Sequence, residues 1–268
     1  RRQRQMCIRD SYYIKNLLKG ELGVSFQYQG TPVTKLIFGR RMINTFVLMG
    51  SSIAISLVIG ILAGTVAGWK RGSKFDIGFL TFSLVTYSIP TFWMGMMIIL
   101  FLGYYLDLIP LGGTITPGAD YSSWIEYLKD YLHHMIGPLI TLILSFIGYY
   151  FMVMRNTILD VFTEDYMLTA RAKGLRKRTI LFKHALRNAM LPMISVIALE
   201  VVYLFSGATA TETVFAWHGL GLLIYESVTK ADLPVLQGIF LFIAISVLIA
   251  NLIADIVYAL VDPRIRYG

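Results

Sequence analysis

Apolar residues in this chain gather into long unbroken runs, unlike the short alternations of a sheet or the one-sided stripe of a surface helix. A helix crossing ~30 Å of hydrocarbon needs about 20 such residues. Five runs are long enough: 43–68, 78–102, 135–154, 189–207 and 238–261, and none carries Lys or Arg within it. Strands of a membrane barrel would alternate where these runs are continuous, so the predicted fold is all-α, a polytopic transmembrane helical bundle with five spans. Pro90 falls inside the second run and is expected to kink it, while Pro138 is placed near the start of the third, where proline is easily accepted. Gly60, Gly64 and Gly68 recur every fourth residue on the first run and predict close contact with another helix.

The polar connections differ sharply in charge. The segment 69–77 holds Lys70, Arg71 and Lys74, and 155–188 holds Arg155, Arg171, Lys173, Arg176, Lys177, Arg178, Lys183 and Arg187 against Asp160, Glu164 and Asp165. By contrast 103–134 has Lys129 against four acids, and 208–237 has Lys230 against Glu212, Glu226 and Asp232. The positive-inside rule therefore puts 69–77, 155–188 and 262–268 in the cytoplasm and the two poorer loops outside. That makes 12–42 extracytoplasmic although it carries Lys15, Lys19, Lys35, Arg40 and Arg41 against Glu21. A further span upstream of Tyr12 is the expected explanation, since the rule weakens for long loops.

Composition agrees. Of 268 residues 56% are hydrophobic and 15% charged, against about 25% charged in soluble domains. The net charge of +8 sits in the loops just named, so it marks membrane orientation and not nucleic acid. Cys7 is the lone cysteine, which excludes an internal disulfide and a thiolate zinc site. The string Met6-Cys7-Ile8-Arg9-Asp10-Ser11 is what ATG TGT ATA AGA GAC AG encodes, a resemblance to the end tag of sequencing libraries, so 1–11 is read as non-native or disordered.

No catalytic constellation is present in the sequence. There is no G-x-x-x-x-G-K-[ST] to cradle ATP phosphates, no G-x-S-x-G and no H-E-x-x-H. His133 and His134 are adjacent and would diverge on a helix, a poor chelating pair. Two acids lie inside apolar runs. Glu200 shares a face with Val196, Tyr203 and Gly207, and Asp255 with Asn251 and Tyr258. A mid-bilayer charge costs roughly 2.5–3.5 kcal/mol, so such groups turn to water or to a protein partner. Glu200, Tyr203, Asn251 and Asp255 are thus candidates for a polar passage, with interhelical hydrogen bonding the alternative. In the basic loop, Thr163 predicts an N-cap, Asp165–Leu175 a short helix, Gly174 its left-handed end, and 179–190 a second basic helix. Small side chains at Thr169, Ala170 and Ala172 would let a partner approach closely.

Thr169-Ala170-Arg171-Ala172-Lys173-Gly174-Leu175, followed by His184-Ala185-Leu186-Arg187-Asn188-Ala189-Met190-Leu191-Pro192, resembles the coupling loop of binding-protein-dependent ABC permeases. The match is nearest the oligopeptide/dipeptide and nickel importers, in their B-type subunit. Gly20-Glu21-Leu22-Gly23-Val24-Ser25-Phe26, Ser88-Ile89-Pro90-Thr91-Phe92-Trp93, Glu212-Thr213-Val214-Phe215-Ala216-Trp217-His218-Gly219-Leu220-Gly221 and 261–268 extend it. The general motif begins Glu-Ala-Ala where this chain has Leu168, Thr169 and Ala170. The resemblance implies the type I importer permease fold with six helices and 43–268 as the permease domain. It implies a homologous second permease, two ATPase subunits holding ATP and magnesium, an extracytoplasmic binding protein, and the bacterial inner membrane as location. Asp165, Thr169, Ala170, Arg171, Ala172, Lys173, Gly174 and Leu175 would couple to the ATPase. Cargo would be a di- or oligopeptide, with nickel or oligosaccharides as the alternative; a stand-alone secondary transporter or channel is the rival class. Trp217 is expected either to serve the extracytoplasmic loop or to anchor at the membrane interface.

Overall fold

The computed structural model describes residues 15–17 and 19–261, without the side chains of 201–203, 205–206, 254–255 and 257–261. The expectations for 1–11, for 262–268, and for the side chains of Tyr203 and Asp255 lie outside the described residues. Within them the chain is helical. A short α1 (Val33–Ile37) leads into α2 (Arg40–Trp69), α3 (Lys74–Ser88), α4 (Thr91–Ile98) and α5 (Trp124–Val161). Then follow α6 (Asp165–Ala172), α7 (Leu186–Ser206), α8 (Thr209–Val214), α9 (Leu220–Thr229) and α10 (Leu233–Val261). Four helices are individually long and apolar enough to cross a membrane, and α3 with α4 makes a fifth, broken span.

The break departs from the expected kink. α3 and α4 meet at 102° across Ile89 and Pro90. Proline disfavours the helical region for the residue before it, and Ile89 is accordingly extended at φ −81°, ψ 127°. Pro90 then stands as N-cap of a new helix, whose last turns widen to a π-helix over Ile99–Tyr105. The third run also differs. Its helix spans 38 residues, about 57 Å at 1.5 Å per residue, because polar turns at both ends continue the apolar 135–154. Ser123 caps its start by accepting from the Glu126 N–H, and Glu126 returns a bond from the Ser122 N–H at 2.9 Å. Pro138 therefore lies in the helix interior, not near its start.

The glycine stripe is used as expected, and its partner is α5. A Cβ added at Gly60 would stand 2.7 Å from Tyr150 Cβ, at Gly64 2.7 Å from the Phe151 carbonyl oxygen, and at Gly68 2.6 Å from Ile158 Cγ2. No side chain fits those gaps, so the backbones of α2 and α5 touch over three turns. On another side of α5, Gly148 meets the Ser83 carbonyl of α3, where an added Cβ would lie 2.8 Å from the oxygen. Arg155 seals the α3 contact with two hydrogen bonds to buried Asp76, Nε to Oδ1 at 2.5 Å and Nη2 to Oδ2 at 2.9 Å. Such bidentate pairs fix orientation as well as proximity.

The bundle has two unlike ends. At one, the basic connections gather around a core of Met154, Ile158, Val161, Met167, Ile180 and Leu181, with Trp69 packed against it. At the other, Asp232 accepts from Ser25 Oγ and from the Gln27 N–H at 3.1 Å. Burial pushes the Asp232 carboxyl up, but the bonds from Ser25 and the Gln27 and Phe26 amides outweigh it and hold the group below its ordinary value. Arg41 pairs with Glu226 at 3.1 Å and donates to Tyr28. The N-terminal segment thus lies with the poorly charged loops, and one of its excess cations is neutralised there.

The α2–α5 contact yields a paired test. Gly64→Ala should lower the thermal unfolding midpoint of the detergent-purified protein by several degrees, since overpacking costs about 1–3 kcal/mol. Gly78→Ala, where nothing lies within 4 Å of an added Cβ, should leave the midpoint unchanged or raise it. Equal midpoints for the two variants would mean that α2 and α5 do not approach as described.

Candidate functional site

A cavity of about 640 Å³ opens between the helices, lined by Met49 of α2, Tyr87 of α3, Thr91 of α4, Ser145, Phe146, Tyr149 and Tyr150 of α5, Val196, Leu199 and Glu200 of α7, Thr209 and Thr211 of α8, and Asn251 of α10. The break at Ile89–Pro90 makes room for it, since Tyr87 and Thr91 line it from either side. The structure brings together Glu200 and Asn251 from the candidate passage residues. Buried Tyr150 is an electrostatic neighbour of Glu200 on the same wall. Among the described lining residues Glu200 is the single ionisable acid, and none is Lys, Arg or His. The remaining surface is hydroxyls, aromatic rings and aliphatic groups, which can accept a polar solute without holding it tightly.

One end of the cavity is closed by the segment 207–222, which behaves as a strap. Gly207 ends α7 at φ +71°, a conformation that admits glycine freely. Glu212 is fully buried. Thr45 Oγ1 donates to its Oε1 at 2.8 Å, and the Leu222 N–H donates to Oε2 at 3.1 Å. Thr45 in turn accepts from the Leu220 N–H at 2.8 Å, so one carboxyl and one hydroxyl satisfy the exposed donors at the start of α9. A side chain at Gly219 or Gly221 would strike the Glu212 carboxyl, which accounts for the Gly-Leu-Gly spacing. Burial, the dominant influence, pushes the Glu212 carboxyl above its ordinary value despite the bonds from Thr45 and Leu222.

Aromatic rings pin the strap. Phe215 sits over two glycines, where an added Cβ at Gly95 would lie 3.1 Å and at Gly137 2.5 Å from its ring. Trp217 is fully buried, donates from Nε1 to the Asn44 carbonyl at 3.2 Å, and packs on Tyr131 with centroids 5.1 Å apart. Asn44 Nδ2 donates to the His218 carbonyl at 2.7 Å. An interfacial anchor role for Trp217 is thereby excluded, because its indole is spent inside the protein. His218 is half-buried, and desolvation followed by the nearby Arg41 charge holds its pKa below the usual value.

At the basic end, α6 matches the expected short helix, with three differences. Thr163 does not cap it: its hydroxyl donates to the Asp160 carbonyl at 2.7 Å, and Glu164 occupies the N-cap position without a side-chain bond. Ala170 is buried with Met167, Ile180, Leu181 and Ala185 in this chain's own core, so its methyl group does not face outward to meet a partner. The helix phase explains this, since Met167 and Ala170 are three residues apart on one face. Asp165, Leu168, Thr169, Arg171, Ala172, Lys173 and Leu175 are exposed, and Gly174 has φ +70° as expected of a left-handed end. The second basic helix over 179–190 is not a separate element. A turn at Lys177–Thr179 and a π-helix at Ile180–Ala185 run straight into α7, and Asn188 Nδ2 bonds Tyr166 Oη at 3.0 Å.

With this geometry in hand, the family comparison is decisive. The family described as "Binding-protein-dependent transport system inner membrane component" matches residues 56–267. The chain belongs to it. The permease is 37% identical over 255 residues to the oligopeptide transport system permease protein AppB of Bacillus subtilis, covering 95% of this chain and 79% of that one. It is 36% identical over 272 residues to the dipeptide transport system permease protein DppB of Escherichia coli K12, covering 96% and 80%. Its fold resembles the MetNI methionine ABC transporter in inward-facing conformations, with TM-score 0.63 at 16% identity over 83% of this chain and 95% of that chain. The fold is the type I ABC importer permease fold.

Three elements of the permease escaped sequence reading. The Asp76–Arg155 pair, the Glu212–Thr45 knot and the Phe215 plug each join residues 79 or more positions apart. The available signal for the second was an acid followed at seven and nine positions by glycine, which leaves room for a folded-back carboxyl. The knot can be tested. Glu212→Gln keeps a neutral donor and acceptor and should fold normally, whereas Glu212→Ala leaves the Leu222 N–H and Thr45 hydroxyl unpaired and should cost about 1–3 kcal/mol each. A carboxyl whose folded pKa is raised loses stability as pH climbs through its ordinary value, so Glu212→Gln should match the native protein at pH 5 and equal or exceed it at pH 8. Thermal midpoints in detergent check this; a loss in the Gln variant as large as in the Ala variant would show that the ionised carboxylate is required.

Proposed function

We propose that this chain is one permease half of an ATP-driven importer in a bacterial cytoplasmic membrane, carrying di- or oligopeptides through a path that includes the Glu200 cavity. The observation that carries the reading is the continuity of the basic end with the cavity wall. The exposed helix α6 packs through Met167 and Ala170 onto the 177–206 run, and that run bears Glu200. A push on α6 therefore reaches the cavity wall through packed helices, the requirement for transmitting a two-state motion. The names of relatives such as AppB and DppB support peptide as the cargo.

In this reading a homologous second permease completes the path. Two ATPase subunits, which bind ATP and magnesium, grip α6 by Leu168, Thr169, Arg171, Ala172, Lys173 and Leu175. An extracytoplasmic binding protein delivers cargo to the opposite end. The loops 69–77 and 155–188 face the cytoplasm, and 103–134 and 208–237 face outward. Gly174 supplies the reversal between α6 and the 177–206 run. Nothing lies within 4 Å of its added Cβ, so a substitution there acts through backbone strain and not through collision.

The coupling assignment predicts that Gly174→Val and Leu168→Glu leave the permease folded and inserted while uptake falls at least tenfold. The measurement is ATP-dependent uptake of a dipeptide, with nickel as the competing cargo, by the complete complex in liposomes, alongside ATPase retention. Ala170→Glu is a poor probe, because it would bury a charge in the chain's own core. Undiminished uptake by both exposed-face variants would reduce this segment to a solvated connection.

The cavity predicts charge selection. Glu200 is the one acidic side chain among the described lining residues, and a passing peptide with a free amino terminus is a cation at that end. Glu200→Gln should slow uptake of such a peptide about fivefold to tenfold while sparing its N-acetylated form, as expected of a desolvated charge pair. Parallel flux measurements on the two peptides check it. An equal change in both fluxes would remove Glu200 from any role in recognising charge.

A further inference from the structure

A second cavity, of about 540 Å³, lies at the basic end between the ends of α2 and α5 and the start of the 177–206 run. Its apolar wall is Trp69, Leu159, Phe162 and Ile180, and three cations, Arg71, Arg171 and Lys177, stand around it. The Arg171 guanidinium lies 5.6 Å from the Phe162 ring centroid, a cation–π contact that aims it along the wall. No Asp or Glu lines the cavity, and among the described residues none of the three cations has an ion pair. The neighbouring acid Asp76 is taken by Arg155 and by the Gly72 N–H at 2.9 Å.

Three converging cations without a counter-charge call for an anion. The position narrows which one. Trp69 and Leu159 end the apolar stretches of α2 and α5, and Lys70, Arg71 and Lys74 follow at once, so the cavity lies where hydrocarbon gives way to headgroups. Free phosphate would use the cations but not the apolar wall. A phosphodiester with attached acyl chains uses both. We propose that this cavity is a binding site for the headgroup of an anionic phospholipid, its phosphate among Arg71, Arg171 and Lys177 and its glycerol region against Trp69, Leu159 and Phe162. Because α2, α5 and the segment beside α6 all contribute to the wall, a lipid here ties the coupling segment to the two most closely packed helices.

The test is lipid retention by the purified complete importer, equilibrated with equal amounts of phosphatidylglycerol and phosphatidylcholine of the same chains and examined by intact-complex mass spectrometry. The native complex should retain phosphatidylglycerol over phosphatidylcholine by roughly tenfold, as about 1 kcal/mol per interfacial cation implies. Arg71→Gln with Lys177→Gln should bring that ratio close to one. Arg176→Gln with Lys183→Gln removes the same charge from exposed positions outside the cavity and should leave the ratio intact. Equal retention of the two lipids, or equal loss in both double variants, overturns the site. Displacement of the lipid by about 1 mM inorganic phosphate assigns the cations to a soluble anion instead. Retention by the isolated permease but not by the complex would mean that an acidic segment of the ATPase fills the cavity, and would equally overturn the proposal.

Discussion

Inside a bilayer no water is expelled when two helices meet, so their association rests on how closely backbones can approach. In this permease that approach is set by Gly60, Gly64 and Gly68 against Tyr150, Phe151, Met154 and Ile158. Everything else is arranged around the pair. α5 is long enough to receive α2 on one side and α3 on another, with Gly148 admitting the Ser83 carbonyl. Its ends extend beyond the apolar run into both polar regions, so the same rigid helix touches the strap at one end and the basic core at the other. A displacement of the α2–α5 contact would move both ends together.

The two ends are fastened in different ways, and the difference suits their tasks. At the poorly charged end, the strap is held by buried donors and acceptors that are nearly all paired: Glu212 with Thr45 and Leu222, Asn44 with His218 and Tyr131, Trp217 with Asn44. Such networks rigidify because any partial opening leaves unpaired polar groups in a dry interior. At the basic end, α6 is attached by two inward side chains, Met167 and Ala170, and by the Tyr166–Asn188 bond. Apolar contact is less directional than a hydrogen-bond network, so this helix can tilt as a body while staying docked on the 177–206 run.

Sequence periodicity made the number and type of spans legible, because continuous apolar runs and charge-poor loops are set by the solvent and need no tertiary information. The close-packing stripe and the positive φ of Gly174 were legible for the same reason: a glycine repeat and a helix-ending glycine act locally. Boundaries were not. The apolar run of α5 ends well before the helix does, since Ser123 and Glu126 cap it eleven or more residues earlier than the hydropathy suggests. Pro90 pointed to a kink where the restriction on the preceding residue gives a complete break. Of the candidate site residues, Ala170 was misjudged because small size was read as outward access. Burial of a three-residue face in the chain's own core uses small residues equally well, and only tertiary contacts separate the cases.

The two acids Glu212 and Glu200 illustrate how surroundings assign opposite roles to one chemical group. Glu212 has no free space about it: glycines at 219 and 221 are emptied of side chains to receive it, and hydroxyl and amide donors reach both its oxygens. A carboxyl so enclosed cannot meet a solute, and its worth is the geometry it imposes on the strap. Glu200 instead borders a cavity whose other polar groups are hydroxyls and an amide spread over six helices. No cation among the lining residues is paired with it, and a solute in the cavity can reach it. The strap that Glu212 holds forms the end wall of that cavity through Thr209 and Thr211. The buried acid therefore keeps fixed the enclosure in which the accessible one meets what passes.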